Sequence, residues 1–335
     1  PPAGYSLMMA AVERREIGAN GLRFETLLAG PESGEAVILL HGYPQSGEAW
    51  RDTVGWLAGR GYRGVAPSLR GYSPGANPPD ASEYRMPELV ADVLGIAGAL
   101  HIDRFHLVGH DWGGALAWVI AGNHPDRLLS LTVVSTPHPL AFAQALRRPA
   151  QAVRSSYMAF FRIRRVPEAL LSFGNFASQG LGTRGSGQPR EAWRRDRDHL
   201  GRVGLHGPLN WYRGATRGIR PLRVGVPTLY IWGRHDMFLG RRAAEQTQKF
   251  VTGEYTFVEL NAGHWIAERN PDQLQRLLGE HLEAHHPPAP AVVAEGAPAV
   301  QTARKPARKR ASRARKPKPQ ADAESTDRST GDAAG

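Results

Sequence analysis

Gly109-His110-Asp111-Trp112-Gly113 decides the reading of this chain. The apolar run Phe105-His106-Leu107-Val108 leads into it, and a small-residue run from Gly114 to Ala121 follows. The pattern predicts a strand, a tight turn and a helix, the setting in which a G-x-S-x-G motif presents a nucleophile. Asp111 stands where the serine of that motif would be. The glycines have a steric role, since the turn is strained and strand and helix approach too closely for side chains. The carboxylate then stands at the end of a buried strand and at a helix N-terminus, where negative charge is favoured.

An aspartate in that place changes the chemistry. Serine needs a base to take its proton, whereas a carboxylate is already ionised at neutral pH. Its natural target is a strained or activated saturated carbon, and the product is an ester on the enzyme. A second step must hydrolyse that ester, so a base and an oxyanion site are required elsewhere in the chain.

Working outward, Arg14–Ile17 and Leu22–Leu28 read as two early strands joined by a turn at Ala19-Asn20-Gly21. Ala36–Leu40 is a continuous apolar run, as expected of a strand buried on both faces. A helix around Ala49–Ala58, a strand at Tyr62–Ala66 and a helix at Met86–Leu100 precede the central turn. Leu131–Val134, Pro227–Trp232 and Tyr255–Leu260 read as later strands, with helices near Arg241–Val251 and at Pro271–Ala284. Strands alternating with helices indicate a doubly wound, mostly parallel sheet. From Leu140 to about Arg220 no strand-like run occurs, and arginine-bearing helical stretches predict an insertion over the sheet edge. The implied division is core at 13–139 and 222–286, a helical cap at 140–221, and a tail at 287–335.

Past the last two strands lie Gly233-Arg234-His235-Asp236 and Gly263-His264-Trp265. In chain order Asp111, Asp236 and His264 give the order nucleophile, acid, base. His264 is the expected base that activates water, and Asp236 the group that fixes its tautomer. His41-Gly42-Tyr43-Pro44 follows a buried strand, and the N–H groups of Tyr43 and Trp112 are the expected oxyanion hole. Pro44 is expected to be cis, since a tight turn there must aim an N–H inward.

These segments together resemble the α/β-hydrolase-fold epoxide hydrolases. The resemblance rests on His41-Gly42-Tyr43-Pro44-Gln45-Ser46, Arg70-Gly71-Tyr72, Gly109 to Gly114, Asn210-Trp211-Tyr212-Arg213 and Gly263-His264-Trp265, and covers about Glu13 to Glu283. It implies an eight-stranded, mostly parallel sheet flanked by helices, with a helical cap, and a cofactor-free hydrolase. It also implies two cap tyrosines that hold and protonate the epoxide oxygen. Tyr212 matches one; Tyr157, ahead of Phe160-Phe161 and Val166-Pro167-Glu168, matches the other. Chemistry asks for the same groups, because ring opening leaves an alkoxide that needs a proton and a phenol can donate one. His41, Pro44, Trp112, Phe160 and Trp265 are the expected substrate-binding side chains. The chain departs from the family in carrying Ser68 where Asp is usual, and in the many arginines of its cap.

Haloalkane dehalogenases share the Asp turn and Gly-His-Trp, so a halide-releasing enzyme with Trp112 as halide donor is the alternative within hydrolases. Tyr43, in the oxyanion turn where many such enzymes carry Asn, counts against it. A non-catalytic ligand-binding protein on the same scaffold is the alternative from another class. Gly180 to Gly185 matches G-x-G-x-x-G, but no strand precedes it, and it reads as a flexible cap loop. His101, His106 and His110 cluster in sequence without a metal-site pattern, and no metal is expected.

Composition bounds the rest. With 335 residues, 41% of them hydrophobic, the chain suits one large domain with an insertion. There is no cysteine, which excludes disulfides, a thiol nucleophile and thiolate-bound zinc. No apolar run is long enough to span a membrane, and no signal peptide is read at the N-terminus, so a cytoplasmic location is expected. The net charge of +11 is concentrated at the end: Arg304 to Lys318 hold nine basic residues and no acid. That segment is expected to be disordered, with weak non-specific contact to nucleic acid as its partner reading.

Overall fold

The computed structural model describes residues 11–215, 218 and 222–286. The expected tail from Pro287, its basic run, and the last residues of the expected insertion lie outside them.

The first strands are β1 (Glu13–Ala19), β2 (Leu22–Ala29) and β3 (Ala36–Leu40). Helix α1 (Arg51–Ala58), β4 (Arg63–Pro67), α2 (Met86–Ala99), β5 (Phe105–His110) and α3 (Trp112–Asn123) follow. A single eight-stranded sheet in the order β1-β2-β4-β3-β5-β6-β7-β8 results once β6 (Leu128–Val134), β7 (Thr228–Gly233) and β8 (Tyr255–Leu260) are added. Among the described strands, only the pairings of β2 with β1 and with β4 are antiparallel. The parallel centre follows from composition, since all five residues of β3 are buried. Each such aliphatic side chain contributes about 1.5–3 kcal/mol on burial, which commits the strand to the middle of the sheet.

Alternate residues of the strands feed two cores. Ile38, Leu40, Leu107, Leu131 and Val133 belong to one. Val37, Leu39, Val108, Val134 and Ile231 belong to the other, on the opposite face.

Among the described residues, six helices lie between β6 and β7: α4 (Pro139–Ala145), α5 (Pro149–Arg154), α6 (Ser156–Phe161), α7 (Val166–Gly185), α8 (Arg190–Val203) and α9 (His206–Gly214). Their own apolar cluster joins Phe161, Phe176, Trp193, Leu200, Leu205, Leu209 and Tyr212. In α8 the buried positions Ala192, Trp193, Asp196, His199, Leu200 and Val203 recur at helical spacing and form its inner face. The last helices of the described residues are α10 (Arg241–Gln246), α11 (Ile266–Arg269) and α12 (Pro271–Ala284).

Two expectations of local structure are corrected. Gly180 to Gly185 is not a loop but the last turns of α7, and a Cβ on Gly180 would stand 2.6 Å from Trp193 Nε1. The glycine is there to admit an indole. The helix expected over Arg241–Val251 is α10 followed by a short 3-10 turn, Thr247–Phe250.

Candidate active site

Asp111 is the turn residue between β5 and α3, at φ 51° and ψ −120°, a conformation strained for any side chain. The turn tolerates it because its neighbours are glycines. A Cβ on Gly113 would lie 2.3 Å from Leu40 O, one on Gly109 2.5 Å from Gly113 O, and one on Gly42 2.2 Å from the Asp111 Cβ itself. Thr136 Oγ1 donates to Asp111 O at 2.8 Å and fixes the turn from the end of β6.

The Tyr43 N–H donates to Asp111 Oδ1 at 2.8 Å, and the peptide bond that follows, Tyr43–Pro44, is cis. The Trp112 N–H, in the first turn of α3, makes no bond to that carboxylate among the described residues. It remains one of the first-turn donors that a helix leaves unpaired. The other oxygen, Oδ2, lies 3.7 Å from His264 Nε2, too far for a hydrogen bond.

On its far side His264 Nδ1 bonds Asp236 Oδ2 at 2.8 Å. Asp236 is held in turn by the N–H groups of Phe238 and Leu239, which donate to Oδ1 at 2.8 and 3.0 Å. Both residues are buried. Burial by itself lowers the pKa of His264, but the Asp236 charge, the hydrogen bond to it and the Asp111 charge outweigh that and leave it raised. The backbone is anchored as well: His110 Nε2 and Ser135 Oγ both bond His264 O, at 3.0 and 2.9 Å.

A cavity of about 400 Å³ opens between the sheet ends and the inserted helices. Asp111 and Trp112 form its floor, and Tyr157 and Tyr212 line it from α6 and α9. Most of the remaining wall is apolar, including Phe142, Leu146, Met158 and Leu239. The Tyr157 and Tyr212 rings lie 6.1 Å apart. Tyr212 packs edge-on against Trp112 at 5.1 Å and Phe161 at 4.9 Å. Burial, and then the Asp111 and Asp236 charges, push the Tyr157 phenol up; burial, and then Tyr157 and Asp111, do the same for Tyr212. Both therefore carry their protons at neutral pH.

Of the side chains expected to bind substrate, Trp112 lines this cavity, and His41, Pro44, Phe160 and Trp265 do not. The reasons are local. His41 is fully buried, takes the Leu69 N–H on Nε2 at 3.0 Å, and has Nδ1 2.9 Å from Gly42 O. Burial drives its pKa down to about 3, so it is a neutral brace between the ends of β3 and β4. Trp265 donates from Nε1 to Ser186 Oγ and ties the His264 loop to the end of α7. Pro44 belongs to the Tyr43 turn, and Phe160 packs in the aromatic cluster of the insertion instead.

Sequence reasoning missed Phe142, Leu146, Met158 and Arg162, which also line the cavity. It also missed the clamp on the Asp236 loop, where Gln151 Nε2 and Arg154 Nη1 donate to Phe238 O and Asp236 O at 2.7 and 2.8 Å. His106 bonds Ser130 Oγ at 2.8 Å and meets Glu35, so it is committed within the sheet. Among the described residues no group of three or more His, Cys, Asp or Glu side chains could hold a metal.

Comparison with known proteins gives consistent relatives. The family model for the alpha/beta hydrolase fold matches residues 35–271. Mouse epoxide hydrolase 4 is 34% identical over 283 residues, covering 79% of this chain and 77% of the mouse protein. The AB hydrolase superfamily protein YfhM of Bacillus subtilis is 31% identical over 291 residues, covering 82% of this chain and 99% of that protein. Among solved structures, epoxide hydrolase A from Mycobacterium thermoresistibile superposes with a TM-score of 0.70 at 25% identity, over 82% of this chain and 99% of its own.

Proposed function

This chain belongs to the α/β-hydrolase-fold epoxide hydrolase family, and from that premise we propose that it opens an apolar epoxide to a vicinal diol through an ester on Asp111. Asp111 Oδ2 attacks one ring carbon. The C–O bond breaks, and the leaving oxygen takes a proton from the Tyr157–Tyr212 pair on the opposite wall. The nucleophile is then the ester oxygen, and Asp111 Oδ1, already facing the Tyr43 N–H, becomes the carbonyl oxygen. His264 takes a proton from water, which adds to that carbonyl. Charge collects on Oδ1, where the N–H groups of Tyr43 and Trp112 receive it. Collapse breaks the ester C–O bond; the departing diol oxygen and the tyrosinate take up the proton held by His264 and that of the new Asp111 carboxyl, which restores the carboxylate, neutral His264 and both phenols, and Asp236 stabilises the protonated His264 meanwhile.

The observation that carries the reading is the enclosure of Asp111, Tyr157 and Tyr212 in one cavity, with the His264–Asp236 pair on the far side of the same carboxylate. Two phenols facing the nucleophile are what an alkoxide leaving group needs and a halide does not. The proposal includes the division into core (13–139, 222–286), cap (140–221) and tail (287–335). A cytoplasmic location belongs to the same proposal. The test is a single turnover with enzyme in excess in heavy-oxygen water. The first label belongs in the Asp111 carboxylate and not in the diol; label in the diol after one turnover refutes the ester route.

A further inference from the structure

The outer face of the insertion is unlike the rest of the surface. Among the described residues, seven of the nine most exposed large hydrophobic side chains fall between Pro139 and Pro189. The same segment holds seven arginines and one carboxylate, Glu168. Glu168 is taken by Arg213 at 2.7 Å. Among the described residues, Arg147, Arg148, Arg162, Arg164 and Arg165 make no ion pair.

The apolar part is ordered. Val166, Leu170 and Phe173 are spaced i, i+4, i+7, so they share one face of α7, and they are 47%, 55% and 81% exposed. The inner side of the same turns is served by buried Pro167 and by Leu171, which packs into the insertion's own cluster. Phe173 sits at a corner, because Gly174, Asn175 and Phe176 leave helical geometry with positive φ and turn the chain away. Ile163, half-exposed, lies between Arg162 and Arg164 just before the helix. Leu146 and Arg162 line the cavity, so the patch runs into its mouth.

We propose that this face is a docking surface for an anionic lipid bilayer, onto which the stripe led by Phe173 inserts while the arginines engage headgroups, presenting the cavity mouth to the lipid phase. The combination is that of an interfacial element: apolar side chains on one side, arginines beside them, and little opposing charge. It does not fit coverage by the segment from Arg304 to Lys318, which has the same sign of charge. No described helix is long and apolar enough to cross a membrane, so adsorption and not spanning is the mode. A largely apolar cavity suits the same partner, because an epoxide that fits it partitions into lipid. Only that last point rests on the substrate reading above.

The chain has no cysteine, so Phe173→Cys gives the full-length protein one site for a polarity-sensitive dye. With phosphatidylcholine vesicles containing phosphatidylserine the dye should shift to the blue, and with phosphatidylcholine alone it should not. The same dye on Glu280→Cys, an exposed position of the core helix α12, should stay unchanged. Arg164→Gln with Arg165→Gln should weaken vesicle affinity about 25-fold, at about five-fold per arginine, and leave hydrolysis of a water-soluble epoxide as it is. Protein that pellets with the anionic vesicles while the Phe173→Cys dye stays unshifted binds through its tail, and the proposal fails. Equal insertion into neutral lipid overturns the electrostatic part, and a blue shift that grows with protein concentration without lipid assigns the stripe to a second copy instead. Insertion is read without turnover, so its failure is distinct from failure of the epoxide reading.

Discussion

Replacing both Tyr157 and Tyr212 by Phe removes the two groups that, on the proposed mechanism, distinguish epoxide opening from halide displacement. The change takes away two oxygens and little volume. Tyr212 keeps its edge contacts to Trp112, Phe161 and Tyr43, and Tyr157 keeps its contacts to Phe161 and Phe238. The cavity around them is mostly apolar, so the lost hydrogen bonds have few replacements. Loss of an oxyanion donor costs about 2.7–4 kcal/mol of transition-state stabilisation, or about 10²–10³ in rate. If the two phenols share the charge equally, each single change costs about half, a factor of about 10–30, and the pair costs the whole. The assay is rapid-quench alkylation of Asp111 followed by intact mass, for wild type, Tyr157→Phe, Tyr212→Phe and the double variant, with an epoxide and with a haloalkane. Full epoxide reactivity in the double variant refutes the assignment of the tyrosines. Brisk haloalkane turnover by the wild type with none on epoxides refutes the proposed function itself.

Asp111→Ala should abolish turnover with the circular dichroism spectrum unchanged, and activity within about tenfold of wild type would exclude a covalent route. His264→Gln should still open the ring, so an ester on Asp111 should persist in intact-mass spectra; an inactive variant that binds substrate without forming it would mean that the base acts earlier. Deleting Gln301 to Gly335 should leave hydrolysis unchanged and reduce retention on DNA at low salt, because the run of nine basic residues is removed; lost catalysis in a folded truncation would refute the domain division. Ester hydrolysis should slow as pH falls, since the base must be neutral and its pKa is raised. In single-turnover measurements that midpoint should lie below the His264 midpoint of the free enzyme; equal midpoints would exclude any influence of the Asp111 charge.

The parts of the site that the sequence discloses are those whose chemistry and geometry are local. Gly109, Asp111 and Gly113 sit within five residues, and the turn they make follows from what a Cβ would strike. Asp236 and His264 were legible because each follows a strand announced by an apolar run, and a parallel sheet brings strand ends together. What failed was the step from nearness in sequence to nearness in space. His41 and Trp265 adjoin functional residues, yet their ring nitrogens are taken by Leu69, Gly42 and Ser186. Leu146 and Met158 line the cavity, and nothing in an isolated helical segment says which face will meet the sheet edge. The glycines of 180–185 misled in the same way: they imply a loop only until the Trp193 indole is seen to occupy the missing Cβ space.

In the proposed mechanism the disposition of charge around Asp111 links the two chemical steps. In the free enzyme its carboxylate is one of the groups that raise the pKa of His264, after Asp236. Esterification removes that negative charge but leaves the Asp236 hydrogen bond in place. The pKa of His264 then falls, and a larger share of it is neutral when a base is first needed. The 3.7 Å between Nε2 and Oδ2 serves the same sequence: close enough for the charge to be felt, too long for a hydrogen bond that would tie up the nucleophile. Asp236 cannot play the first part, because its carboxylate is buried and held by Phe238 and Leu239 at the back of the ring, away from substrate. On the proposed mechanism two aspartates on one histidine thus divide the work by position: one keeps the base oriented throughout, and the other relaxes its hold on the proton equilibrium as soon as it has reacted.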